Sequence, residues 1–145
     1  MSDFHGPTLE DLQGAWICIR FGDDGLKAPF YISWFRKPRI EFEGYCYRVF
    51  DGETCLERGR FDIRRGVEYS LLDQLIEFGE HYGREHRGII RWVGDRLEHL
   101  QGHAGLARPT GFPYGKGSKC HYSLLSRATE VKADRISPSS KKWKG

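Results

Sequence analysis

No stretch of this 145-residue chain approaches the ~20 consecutive apolar residues of a membrane-spanning helix, which argues against a membrane partner. The opening segment, MSDFHGPTLED, has no basic run followed by an apolar one. It therefore reads as lacking a secretory signal, and a cytoplasmic location is expected. No CxxC pair occurs. Cys18, Cys46, Cys55 and Cys120 are scattered, which excludes the common zinc-ribbon spacing and suits reduced thiols. There is no Gly-x-Ser-x-Gly elbow, and the carboxylates form no acid–base pattern, so no catalytic residue is assigned. The glycine-rich GFPYGKGSK resembles a phosphate loop only superficially. Lys116 is followed by glycine, and a strand rather than a helix comes next. A basic face is also missing from the body. The net charge is +3, and residues 128–145 carry all of it.

What is present favours strands. The chain holds 18 glycines, and aromatics make up 14% of it. Apolar and β-branched runs are short, and turn signals separate them. Residues 8–14 read as one helical turn capped by Thr8, with Asp11 three residues on. Strands are expected at 15–21, 30–35, 40–50 (divided at Gly44), 54–63, 87–93, 96–101 and 119–127. Asp51-Gly52 marks the clearest hairpin. Residues 67–76 suit either a strand or a helix. Eight or nine short strands with almost no helix point to an antiparallel up-and-down barrel or a sandwich. The domain is bounded at 1–127, and 128–145 has the composition of a basic tail.

Four motifs in order carry a resemblance: LQGAW at 12–16, GRFDI at 59–63, GIIRWVGDRLEHL at 88–100 and RPTGF at 108–112. Together they resemble a small lipocalin-like family abundant in planctomycete bacteria. The match spans about residues 9–127. Ile90 stands where that family usually has tyrosine. The resemblance implies an all-β, lipocalin-like up-and-down barrel of about eight strands with a short N-terminal helical turn. The activity of the family is undefined. It further implies that Gly14 and Trp16 open the first strand at the closed end, and that Arg127 of the last strand packs across the indole as a structural closure. If Trp16 faces inward, strict alternation also turns Arg20 inward and Ile17 and Ile19 outward. Either a partner covers that face or a bulge shifts the phase.

Several side chains suit binding. Trp34, Arg36, Arg39, Tyr45, Tyr47 and Arg108 are the candidate ligand-binding set, because guanidinium and phenol groups around an apolar cavity suit an anionic head. The competing reading is tyrosines at strand ends and arginines on the surface. His99 and His103 lie four apart but on a strand and loop, with no evident third ligand, so no metal is expected. No cofactor is expected either. Lys141, Lys142, Trp143 and Lys144 form a candidate partner contact, by which nucleic acid would bind only weakly. These observations favour a non-enzymatic binding module for a small, partly apolar or anionic ligand or for a protein partner. The alternative is an accessory subunit of a larger assembly, docking through the barrel exterior and the tail.

Overall fold

The computed structural model of the chain describes residues 4–23, 26–27, 38–112 and 117–128. Trp34, Arg36, the strand expected at 30–35 and the tail lysines Lys141, Lys142 and Lys144 with Trp143 lie outside the described residues.

The described chain contains one helical turn, α1 (Leu9–Leu12), and nine strands. These are β1 (Gly14–Asp23), β2 (Leu26–Lys27), β3 (Arg39–Glu43), β4 (Cys46–Asp51), β5 (Thr54–Arg64), β6 (Ser70–Phe78), β7 (Glu85–Val93), β8 (Arg96–Gly102) and β9 (Cys120–Arg127). The short β2 pairs only with the end of β1. The other eight strands follow chain order, each antiparallel to its neighbour, and β9 returns to β1. The result is a closed antiparallel β-barrel of the lipocalin-like, up-and-down kind, in which closure removes the unpaired edges. Of residues 67–76, the part from Ser70 onward resolves as strand, and β6 continues to Phe78. The Asp51-Gly52 hairpin forms with Gly52 at φ +62°.

The first strand solves its own phase problem. Trp16 and Cys18 are buried, and the β1–β9 register then slips by one residue at Ile19. Beyond that bulge Phe21 packs against the core and Arg20 is exposed. One extra residue thus keeps the guanidinium out of the interior.

Apolar side chains fill one end of the barrel. Leu12, Trp16, Ile40, Phe42, Phe61, Leu72, Ile90, Leu97 and Leu125 form a single buried cluster. The helical turn is its plug. Thr8 and Asp11 cap α1 reciprocally, and the Trp16 indole N–H donates to the Leu12 carbonyl at 2.8 Å. Gln13 pins the turn to the β3–β4 corner by donating to the Gly44 carbonyl at 3.0 Å and accepting from the Gly44 N–H at 2.7 Å. Gly14 adopts φ +107°, and a Cβ there would stand 3.2 Å from Arg127 Nη1.

A second, smaller core lies outside the barrel wall. Ile89, Leu100, Phe112 and Cys120 cluster beneath the loop that follows β8. Arg108 holds this loop down with two bonds to the Asp73 carboxylate and a third to the Gly88 carbonyl at 3.1 Å. Arg91 lies over the Phe112 ring at 4.2 Å.

Candidate functional site

The polar end of the barrel is built by strand alternation. His86 lies two turns of the pleat before Ile90 on β7, His99 follows Leu97 on β8, and His121 precedes Leu125 by four on β9. Ile90, Leu97 and Leu125 all belong to the inner core, so the three imidazoles share that inward face. Gln74 follows Leu72 inward on β6 in the same way, and Gln74 pairs directly with His86. Five of the chain's six histidines gather at this end. His81, His86, His121 and His103 form a chain of rings with successive centroid separations of 6.4, 6.2 and 4.4 Å.

The hydrogen bonding is uneven across this set. His86 Nδ1 lies 3.2 Å from the Gly102 carbonyl, and its Nε2 lies 3.5 Å from Glu57 Oε2. Tyr47 donates to the same carboxylate oxygen at 2.8 Å. Burial alone would raise the Glu57 carboxyl. Hydrogen bonding and charge from His86, with smaller help from Tyr47 and His81, outweigh it and hold the group below the usual carboxylate range. Burial and the neighbouring Glu57 push the Tyr47 phenol far upward, so it stays a donor.

His99 behaves differently. It is buried, and burial together with His86 and His121 pushes its pKa down to about 3. Its ring is neutral at physiological pH. Its Nε2 is buried and has no hydrogen-bond partner, and the same is true of Gln74 Oε1. Gly88 makes room for this ring, since a Cβ there would meet His99 Nε2 at 3.1 Å. Buried polar atoms without partners are rare in folded proteins, and each costs about 1–3 kcal/mol.

The candidates read from the sequence are dispersed. Tyr47 alone of the described ligand-binding set lines the interior, where it is fully buried. Tyr45 is exposed in the β3–β4 turn. Arg39 faces outward, over the Phe50 ring at 4.6 Å, and donates to Glu41 at 2.8 Å. Arg108 sits on the outer wall with Asp73. Both guanidiniums are thus already paired with carboxylates. The closure residues do meet: Arg127 lies over Trp16 with 4.1 Å to the ring centroid, beside Gly14.

Sequence reasoning missed Asp23, Glu57, Gln74 and His86. The signal for His86 and Gln74 was present as alternation with Ile90 and Leu72, once the inward phase is known. Asp23 gave no such signal, because its placement depends on the bulge at Ile19. Compared with protein-family models, with curated proteins and with solved structures, the chain matches none.

Proposed function

We propose that this chain is a binding module that holds a small, partly apolar molecule in the histidine-lined half of its barrel. One observation carries the reading. His99 Nε2 and Gln74 Oε1 are buried on the inward face with nothing to bond, beside a wall of apolar side chains. A ligand with an apolar body and a hydroxyl or amide head would satisfy both. The head is neutral in this reading. Arg108 is paired with Asp73 and Arg39 lies on the outward face with Glu41, and the polar groups at the histidine end among the described residues are imidazoles, an amide, a phenol and a carboxylate. The order of the four sequence motifs supports the resemblance to a lipocalin-like family, whose activity is undefined.

The test is a fragment titration followed by NMR on the full chain, using phenol, benzamide and hexanoate. Phenol or benzamide should shift the His99 imidazole and Gln74 amide signals. The double variant His99→Leu, Gln74→Leu should abolish that response while remaining folded. If all three fragments leave these signals unmoved, the reading fails. If hexanoate alone binds, the head is anionic.

A second reading rests on its own observation. Leu56, Phe78 and Tyr82 are exposed near the polar end, with Tyr82 71% accessible. Such a group at the rim suits docking of a protein partner, as an accessory subunit would require. Light scattering of the chain with and without the triple change of these residues to serine tests for self-association, the simplest form of such docking.

A further inference from the structure

At the rim of the polar end, Asp23, His103 and His121 converge. The fold dictates their meeting. Asp23 stands directly opposite His121 in the β1–β9 pairing, so the two side chains share one face. His103 follows the last residue of β8, and its backbone N–H donates to the Lys119 carbonyl at 3.0 Å, which brings it alongside the start of β9. All three are therefore mounted at the ends of paired strands rather than on a free loop.

The distances are those of a ligand set. His103 Nε2 lies 2.7 Å from Asp23 Oδ1, and His121 Nδ1 lies 3.1 Å from the same oxygen. The three donor atoms lie within 4.8 Å of one another. An ion with bonds of about 2.0–2.1 Å in tetrahedral geometry requires ligand atoms about 3.3 Å apart, so the two contacts with Asp23 need only a slight spreading.

The electrostatics point the same way. His103 makes a hydrogen bond to Asp23, whereas His121 Nδ1 is buried and makes none despite its closeness. His121 Nδ1 thus stands 3.1 Å from the carboxylate oxygen with no aligned hydrogen bond between them. A cation placed between the two atoms would bond both.

We propose that Asp23, His103 and His121 bind one divalent transition-metal ion of the zinc class. Two nitrogens among three ligands select against magnesium and calcium, which prefer all-oxygen shells. Asp23 is half exposed and the two histidines are 30% exposed, so at least one coordination position faces solvent and can take water or a ligand group. The Phe21 ring, 6.4 Å from His121 and nearly parallel to it, helps fix the imidazole orientation. This site stands apart from the ligand reading, which uses His99 and Gln74.

The experiment is a titration of the chelator-treated full chain with Zn²⁺, Co²⁺ and Mg²⁺, followed by calorimetry, visible absorption for Co²⁺ and imidazole ¹⁵N NMR. One Zn²⁺ or Co²⁺ should bind per chain, and Mg²⁺ should not saturate. Asp23→Ala and His103→Ala should each weaken Zn²⁺ binding at least ~100-fold, beyond what loss of an outer-shell partner costs. His5→Ala should leave it unchanged. In the wild type, the His103 and His121 signals should respond to Zn²⁺ ahead of those of His5 and His81, a readout that needs no variant to fold. The absence of saturable Zn²⁺ binding overturns the proposal. So does unchanged affinity in folded Asp23→Ala and His103→Ala, or a first response from other histidines.

Discussion

Arg127 closes the barrel on Trp16: its guanidinium lies 4.1 Å from the indole centroid and donates to the carbonyls of Asp11 at 2.7 Å and Gln13 at 2.6 Å. One side chain thereby joins the last strand, the first strand and the end of the plugging turn. It also satisfies carbonyls that a four-residue helix leaves open at its C-terminus.

Arg127→Ala should therefore destabilise the fold by about 2–4 kcal/mol, combining the cation–π contact with two charge-assisted hydrogen bonds. Arg127→Lys keeps the charge but loses the planar fork, so it should recover only part of that loss. Urea denaturation of the three proteins measures both quantities. Equal stability of wild type and Arg127→Ala would remove the closure role.

The buried His99 should make stability fall with acid. Its folded pKa of about 3 lies below the ordinary value of 6.5. Between these values the unfolded chain takes up a proton that the folded chain refuses, so stability is complete above about pH 6.5 and declines as pH drops. The slope from this one group is about 1.4 kcal/mol per pH unit inside the window. His121, also held low, adds to it with the same sign. His99→Leu should flatten the dependence between pH 6.5 and 5, as followed by denaturation at several pH values. An unchanged slope would mean that His99 takes up its proton without unfolding.

Gly88 is required for space rather than for an unusual backbone angle. An added Cβ would stand 3.0 Å from the Leu100 carbonyl and 3.1 Å from both Gln101 Cβ and His99 Nε2. Gly88→Ala should cost about 1–3 kcal/mol through overpacking, against the usual gain from replacing a strand glycine. It should also displace the His99 ring, visible as a shifted imidazole resonance. A more stable variant with an unmoved resonance would show that the wall yields freely.

Much of the fold was legible because its signals are local. Asp51-Gly52 specifies a hairpin by turn chemistry alone, and Thr8 with Asp11 specifies a capped turn. The site was less legible because its geometry is not local. His103 and Asp23 are 80 residues apart and meet only where β9 closes on β1. His99 and His103, adjacent in spacing, part company: one is buried in the wall and the other sits at the rim. The arginines misled for a related reason. Alternation predicts which residues share a face but not which face is the lumen. Arg39 and Arg108 turned out to hold carboxylates on the exterior.

The extra residue at Ile19 has a consequence beyond comfort for Arg20. It lets β1 serve two different interiors, presenting Trp16 and Cys18 to the greasy end and Asp23 to the histidine end. With strict alternation Gly22 would occupy the inward phase and Asp23 would point away from His121. The chemistry of the rim is thus written in strand length as much as in residue identity. Removing Ile19 would straighten β1 and leave Asp23 opposite His121, whereas forcing Ile19 into the ladder as a paired residue would turn Asp23 to the outside of the barrel without altering any histidine.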